Sequence, residues 1–134
     1  MPVKVLFDSN ILFAQIQFKV DIFSGVEDVL NTRVEAFILP QTLSELKGLA
    51  QSRQLKTVKE ARTALKLAEQ CTVLPVKAQP HEKTDDLIVR AAKECSCAVA
   101  TNDKELRKKL RVKGVPVIYL RQKSHFEVEG RTPV

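Results

Sequence analysis

Two acidic side chains follow two short apolar runs of the chain. Asp8 comes directly after residues 3–7 (VKVLF), and Asp103 lies just past residues 97–101 (CAVAT). Apolar runs of this length without helical spacing are typical of strands that are buried on both faces. In open parallel sheets, ligands and catalytic groups collect at the carboxyl ends of the strands, where the strand order reverses. We therefore expect Asp8 and Asp103 to meet at one edge of a sheet.

Two more acids are expected on the inner sides of helices. Glu45 lies at the edge of the apolar stripe of the helix predicted over 41–50, next to Leu46. Asp85 lies near the start of the helix predicted from residue 84, on the face that also carries Ile88 three residues later. Both side chains are therefore candidates for the same cluster as the acids that follow the strands.

Several polar residues near these strand and helix ends also have an ordinary structural explanation. Asn10 and Asp103 are good N-cap residues, because their side-chain oxygens can accept the free amide hydrogens of a first helical turn. Thr84 is a good N-cap for the later helix for the same reason. Asp86 is expected to face outward and to pair with Arg90 at i to i+4.

Several carboxylates in one cluster would demand a cation. At about 5 Å, two of them repel by about 3 kcal/mol at an effective dielectric constant near 20. Oxygen ligands without histidine or cysteine favour a hard divalent ion such as Mg²⁺ or Mn²⁺ over zinc. Because Mg²⁺ takes phosphate as a further ligand, the chemistry that fits is hydrolysis of a phosphodiester.

A basic segment begins directly after Asp103. The chain carries a formal net charge of +6, which is a weak indication of an anionic partner. Between residues 104 and 123, basic residues outnumber the single acid, Glu105. The segment is either a solvated helix face or a surface that holds the nucleic-acid backbone beside the acids. The residues assigned to the second interpretation are Lys104, Arg107, Lys108 and Arg111.

Predicted strands and helices alternate along nearly the whole chain, which predicts a three-layer α/β/α sandwich. The sheet is expected to be mostly parallel and to have five strands, at 3–7, 36–39, 71–76, 97–101 and 116–120. The strand at 71–76 contains Pro75, which favours an edge position. We expect one domain over residues 1–123 and a loosely ordered polar tail over 124–134.

Composition limits the setting of the protein. The three cysteines are an odd number and are expected to be small buried hydrophobes in a reducing compartment. No basic segment followed by a long apolar stretch opens the chain, and no run is long enough to span a membrane. These features predict a cytoplasmic protein without a membrane partner.

Four motifs in this order resemble the PIN domain family of metal-dependent ribonucleases. They are FDSN (7–10), LSELKGLA (43–50), TDDLIVRAA (84–92) and VATNDKELRKKL (99–110). The resemblance covers essentially the whole chain. It implies a PIN fold, endoribonuclease activity with Mg²⁺ or Mn²⁺, and acidic site residues at Asp8, Glu45, Asp85 and Asp103. It also implies supporting polar positions at Asn10 and Thr101.

Two further segments, 16–23 and 114–124, are similar to the branch of the family that processes small-subunit ribosomal RNA and to its archaeal relatives. The other large branch contains the VapC-like toxins of toxin–antitoxin pairs. The residues do not separate the two roles. The partners implied are therefore RNA together with an antitoxin, a ribosome-assembly protein or a second copy of the chain.

Other classes of protein fit the sequence less well. A haloacid-dehalogenase-like phosphatase requires D-x-D after its first strand, whereas the third position here is Asn10. A receiver domain requires an acid after its third strand, and the segment CTVLPV ends without one. A non-catalytic RNA-binding or assembly module with the same fold is the main alternative, and the loss of an acid would favour it.

Overall fold

The computed structural model of the chain describes residues 2–130. The first half contains β1 (Val3–Phe7), α1 (Ser9–Phe18), α2 (Ile22–Leu30), β2 (Val34–Ile38), α3 (Pro40–Leu49) and α4 (Leu55–Ala68). The second half contains β3 (Thr72–Val73), α5 (Thr84–Cys95), β4 (Ala98–Ala100), α6 (Lys104–Val112), β5 (Val117–Arg121) and β6 (His125–Glu129). The predicted α/β sandwich with a mostly parallel sheet is confirmed.

The strands form one sheet in the order β3-β2-β1-β4-β5-β6. All neighbouring strands are parallel except β5 and β6, which are antiparallel. The chain passes from β1 to β2 on one side and later returns to β4 on the other side of β1. The strand order therefore reverses between β1 and β4, and the carboxyl ends of these two strands are neighbours. This is the arrangement that the predicted meeting of Asp8 and Asp103 needs.

The described part of the sheet has six strands, so the predicted number of five was too small. The sixth strand, β6, lies in the segment that was expected to be a polar tail. A boundary at residue 123 would therefore cut through the hairpin that joins β5 to β6. Residues 131–134 of the expected tail lie outside the described residues.

Alternate side chains of the strands pack into two cores, one on each face of the sheet. Val5 and Phe7 of β1 belong to the core under α1 and α2, whereas Leu6 between them belongs to the core under α5 and α6. Each residue of β1 from Val5 to Phe7 is almost completely buried. An apolar run with no polar alternation is what a strand covered on both faces requires, which explains the sequence of β1.

Of the three predicted helix N-caps, the structure confirms one. Asp103 is the N-cap of α6, and Gly114 follows the C-cap of that helix with φ +73°, a conformation that glycine adopts without strain. The β3 strand lies at an edge, as predicted. The N-cap of α1, however, is Asp8 and not Asn10, and that of α5 is Lys83 and not Thr84.

The cysteines and the helices were the subject of two expectations from composition. The three cysteines are free, and Cys71 and Cys97 are buried, whereas Cys95 is partly exposed. None of the described helices combines the length and the apolar character that crossing a membrane would need.

Candidate active site

Asp8 lies where β1 ends and α1 begins, and its carboxylate is held by three donors. One oxygen, Oδ1, accepts a hydrogen bond of 2.8 Å from the backbone N–H of Ser9. The other, Oδ2, accepts bonds from the Thr101 hydroxyl at 2.9 Å and from the Asn10 amide at 3.0 Å. The side chain that caps α1 is therefore also fixed against the end of β4.

Thr101 is completely buried and uses its hydroxyl fully. The hydroxyl donates to Asp8 and accepts from the backbone N–H of Asp103 at 3.2 Å and from the Asn10 amide at 3.2 Å. A hydroxyl has one donor and two acceptor positions, so this side chain is satisfied. Its backbone N–H bonds to Ile118 of β5 at 3.0 Å, which fixes the residue to the sheet. Thr101 thus joins the two acids that follow β1 and β4.

Asn102 belongs to the same network and was not predicted. Its backbone N–H donates to Asn10 Oδ1 at 3.0 Å, and its side-chain oxygen accepts from the backbone N–H of Leu120 at 2.8 Å. The bond to Leu120 ties the loop after β4 to β5. The position of Asn102 directly after a buried strand and before an N-cap was the available signal.

The electrostatic environment of Asp8 sets it apart from an ordinary N-cap. Burial raises the pKa of its carboxyl group most strongly, and the negative charges of Asp103 and Asp85 raise it further. The hydrogen bonds from Thr101 and Ser9 act in the opposite direction, but the pKa remains above its usual value. Three of the four predicted acids therefore lie close enough to influence one another, as expected for a shared site.

Glu45 faces the same region from α3. Its pKa is raised first by burial and then by the charge of Asp8. The side chain is partly exposed. The structure thus places Glu45 at the edge of the apolar stripe, as predicted, and on the side of the helix that faces Asp8.

Asp85 is less exposed than its neighbour Asp86, as predicted. The side chain of Asp85 is 32% exposed and that of Asp86 is 55% exposed, and Lys109 of α6 lies 4.0 Å from Asp85 and 3.4 Å from Asp86. The predicted ion pair between Asp86 and Arg90 is wrong. Arg90 instead forms two short bonds to Glu82, at 2.8 and 2.9 Å.

Asp103 is exposed and caps α6, its Oδ1 accepting from the backbone N–H of Leu106 at 3.1 Å. The N-cap explanation of this residue is therefore correct. Capping α6 does not exclude a role of Asp103 in the site, because Asp8 also caps a helix and lies among the acids. The charge of Asp103 is also one of the causes that raise the pKa of Asp8.

The donor set fits a hard divalent cation that keeps part of its water. Among residues 2–130, no three His, Cys, Asp or Glu side chains approach closely enough to hold an ion alone. The carboxylates nevertheless interact electrostatically, and the hydrogen-bond partners of Asp8 are a hydroxyl oxygen and two amide nitrogens. Mg²⁺ is usually bound by one or two carboxylates with water and phosphate as the remaining ligands. Asp8 together with Glu45, Asp85 or Asp103 would hold it, with bound water between the ion and the more distant carboxylates.

The four basic residues assigned to the nucleic-acid surface lie on α6, but they are not equivalent. Arg107 is only 22% exposed, bonds to Glu129 of β6 at 2.7 Å and stacks 3.6 Å from the centre of the Tyr119 ring. Arg111 also lies 3.1 Å from a carboxylate oxygen of Glu129. Lys104 and Lys108 are exposed. Two of the four cations are thus committed to a contact with β6.

Comparison with known proteins gives relatives over the full length of the chain. The chain is 36% identical to Ribonuclease VapC4 of Methanocaldococcus jannaschii over 95% of its own length and 97% of that protein. It is 31% identical to Ribonuclease VapC9 of Archaeoglobus fulgidus over 91% of this chain and 86% of that one. It is also 32% identical to the rRNA-processing protein FCF1 of Saccharomyces cerevisiae, over 87% of this chain and 59% of that longer protein.

Among solved structures, the fold is similar to that of the PIN domain endonuclease Utp24. The TM-score is 0.80 at 28% sequence identity, and the match covers 99% of this chain and 96% of that one. The family model described as a PIN like domain matches residues 5–123. That range includes the ends of β1 and β4 and the starts of α5 and α6, which carry the network described above. The chain belongs to the PIN-like domain family.

Proposed function

We propose that the protein is a metal-dependent endoribonuclease that hydrolyses phosphodiester bonds of RNA. The observation that carries the proposal is the carboxylate of Asp8, which is fixed by Thr101 and Asn10 and whose pKa is raised by burial and then by the charges of Asp103 and Asp85. Such an arrangement costs stability in the absence of a cation, and groups with shifted pKa values concentrate at functional sites.

The residues of this chain would divide the work as follows. Asp8, Glu45, Asp85 and Asp103 would hold Mg²⁺ or Mn²⁺ between them, and the ion would supply Lewis-acid activation of the phosphodiester and of water. Thr101 and Asn10 keep the Asp8 carboxylate in one orientation. A carboxylate that cannot rotate presents the same oxygens to each substrate, which is the positional part of catalysis.

The basic residues of α6 would bind the phosphate backbone. Lys104 and Lys108 are exposed beside Asp103, whereas Arg107 and Arg111 would have to be shared with Glu129. Contacts of this kind provide affinity without sequence preference and make binding dependent on salt concentration.

The relatives support this proposal and leave two roles open. Two of them are named ribonucleases of the VapC type and another an rRNA-processing protein. We propose that this chain acts in the cytoplasm either as the toxin of a toxin–antitoxin pair or in ribosomal RNA processing. An antitoxin or a ribosome-assembly protein would be its partner, and a second copy of the chain would complete a homodimer.

The test is cleavage of a labelled structured RNA by the purified protein with Mg²⁺, with Mn²⁺ or with a chelator. Asp8→Asn keeps the size of the side chain and removes its charge, so we expect it to abolish metal-dependent cleavage. Asp28→Asn, which makes the same change at an exposed position of α2, is the matched control and should cleave nearly normally. Cleavage by Asp8→Asn at the unmodified rate would contradict the proposed site.

The same experiment separates the main alternative from the proposal. A protein that binds the RNA but leaves it intact under all three conditions would be a non-catalytic RNA-binding or assembly module. For an active enzyme, the two roles differ in their products. A toxin should arrest growth when expressed and be relieved by Asp8→Asn, whereas a processing enzyme should cut a ribosomal RNA precursor at a defined position.

A further inference from the structure

The helix α6 has a second basic flank, of which only Lys108 was assigned to RNA binding from the sequence. One flank faces β6, where Glu129 contacts both Arg107 and Arg111. The other faces α5 and borders a groove of about 320 Å³, the α5–α6 groove. The residues that line this groove are Asp86, Val89, Lys108, Lys109, Val112 and Lys113.

The α5–α6 groove begins at the carboxylates. Lys109 donates to Asp86 at 3.4 Å, and its ammonium group lies 4.0 Å from Asp85. Lys113 follows Lys109 at i+4, about one helical turn or 6 Å further along the same face. Two cations thus follow one another along the groove, starting beside an acid of the candidate active site.

Apart from Asp86 and the three lysines, the lining of the groove is aliphatic. Val112 is 83% exposed, although it is a large apolar side chain on an otherwise charged helix, and Val89 of α5 packs beneath the same opening. A ligand that suits this surface carries negative charges along one side and an apolar body on the other. A single RNA strand has this character, with phosphates along its backbone and the faces of its sugars and bases beside them.

We infer that the α5–α6 groove is a binding site for the single RNA strand that runs next to the carboxylates, with Lys109 and Lys113 contacting successive phosphates and Val112 contacting a sugar or base. The inference rests on the proposed function, because it takes RNA as the substrate. Its position beside Asp85 favours RNA over other anionic ligands, since a strand in the active site must continue along an adjoining surface.

The test measures RNA binding rather than cleavage. Fluorescence anisotropy with a labelled single-stranded oligoribonucleotide, in chelator and at several salt concentrations, gives both the Kd and its salt dependence. The variant is Lys109→Met with Lys113→Met. Two lost phosphate contacts should raise the Kd about tenfold and reduce the slope of log K against log salt by about 1.4, since each contact to a single strand contributes about 0.7.

The matched control is Lys56→Met with Lys59→Met, which removes the same charge from exposed positions on α4, on the other face of the sheet. It should leave the slope unchanged. Lys109→Arg with Lys113→Arg keeps both charges and should retain most of the affinity. Equal effects of the α4 and α6 pairs would overturn the inference, because only the net charge would then matter.

The outcomes also separate the inference from the proposed function. If the unmodified protein binds and cleaves RNA but the Lys109 and Lys113 variant binds it equally well, the groove serves another ligand, such as an acidic protein segment, and the inference alone is wrong. If the unmodified protein binds RNA without metal-dependent cleavage, the proposed function fails while the binding site stands. A protein that binds no RNA at all overturns both.

Discussion

Removal of the Thr101 hydroxyl tests the geometry around Asp8 directly. Thr101→Val keeps the shape of the buried side chain but deletes the donor to Asp8 and the acceptor for the backbone N–H of Asp103. A hydrogen bond to a charged group contributes about 1.5–3 kcal/mol, and a backbone N–H left without its partner costs about 1 kcal/mol more. We therefore expect the free energy of unfolding at pH 7 to fall by about 2.5–4 kcal/mol.

The loss should depend on pH in a definite direction. The pKa of Asp8 is already raised in the folded protein, so ionisation of Asp8 lowers the free energy of unfolding. This destabilisation is fully present above the folded pKa and absent below the unfolded pKa. The bond from Thr101 lowers this pKa, and its removal raises the pKa further. The destabilisation by Thr101→Val should therefore be largest near neutral pH and shrink as the pH falls through the folded pKa of Asp8.

Urea denaturation of the metal-free protein at pH 7 and near pH 4 provides the measurement. Thr101→Ser keeps the hydroxyl and loses one methyl group, so it should cost about 1 kcal/mol at both pH values. A double-mutant cycle with Asp8→Ala, which removes both acceptor oxygens, should give a coupling free energy of about 1.5–3 kcal/mol. Equal losses for Thr101→Val and Thr101→Ser at both pH values, or a coupling below about 0.5 kcal/mol, would refute the reasoning.

Two further predictions concern the acids of α5 and the placement of β6. Asp85→Asn should lower the rate of metal-dependent RNA cleavage by at least about 100-fold and Asp86→Asn by less than about threefold; equal losses would contradict their different orientation. Gly25→Ala should destabilise the protein by about 1–3 kcal/mol in thermal or urea unfolding, because its Cβ would overlap the Phe126 ring. Gly48→Ala, which meets no atom within 4 Å, should instead stabilise by about 0.5–1 kcal/mol, and a similar sign for both would place β6 elsewhere.

Short-range rules predicted the parts of the site that depend on strand ends. Asp8 and Asp103 were found because a buried parallel strand is mostly apolar and the polar residues that follow it mark the edge of the sheet. Their convergence followed from the position of parallel strand ends, without knowledge of any contact. The order of the strands was not predicted, since it depends on packing between distant segments.

Rules based on spacing failed where a stronger partner was available. Arg90 was assigned to Asp86 because exposed i to i+4 pairs contribute about 0.3–0.5 kcal/mol. The structure gives it Glu82, which lies before the helix and binds both Nε and Nη2 of the guanidinium group. Two charge-assisted bonds in one planar contact outweigh a single exposed pair. The loop before α5 must fold back for this contact to form, and the sequence carries no signal for that.

The strand β6 was missed because neither its composition nor its turn is typical. Its residues, HFEVE, do alternate between polar and apolar, but only two of the five are apolar, and the turn from β5 places Gln122 and Lys123 at φ +53° and +61°. Such turns usually contain asparagine or glycine at these positions. The strand is instead supported by polar contacts across the hairpin, with Glu127 accepting from Tyr119 at 2.8 Å and from Arg121 at 3.0 Å.

The contacts around Asp8 have opposite effects on the pKa of its carboxyl group. Thr101 and Ser9 lower the pKa of its carboxyl group, so these donors favour the charged form that a cation needs. Burial and the neighbouring acids raise the pKa by more, so the charged form remains unfavourable while no cation is present. A side chain that served only as a helix cap would have no reason to lie among acids. The donors instead maintain one orientation of a carboxylate whose surroundings favour a positively charged ligand, at a cost to the stability of the free protein.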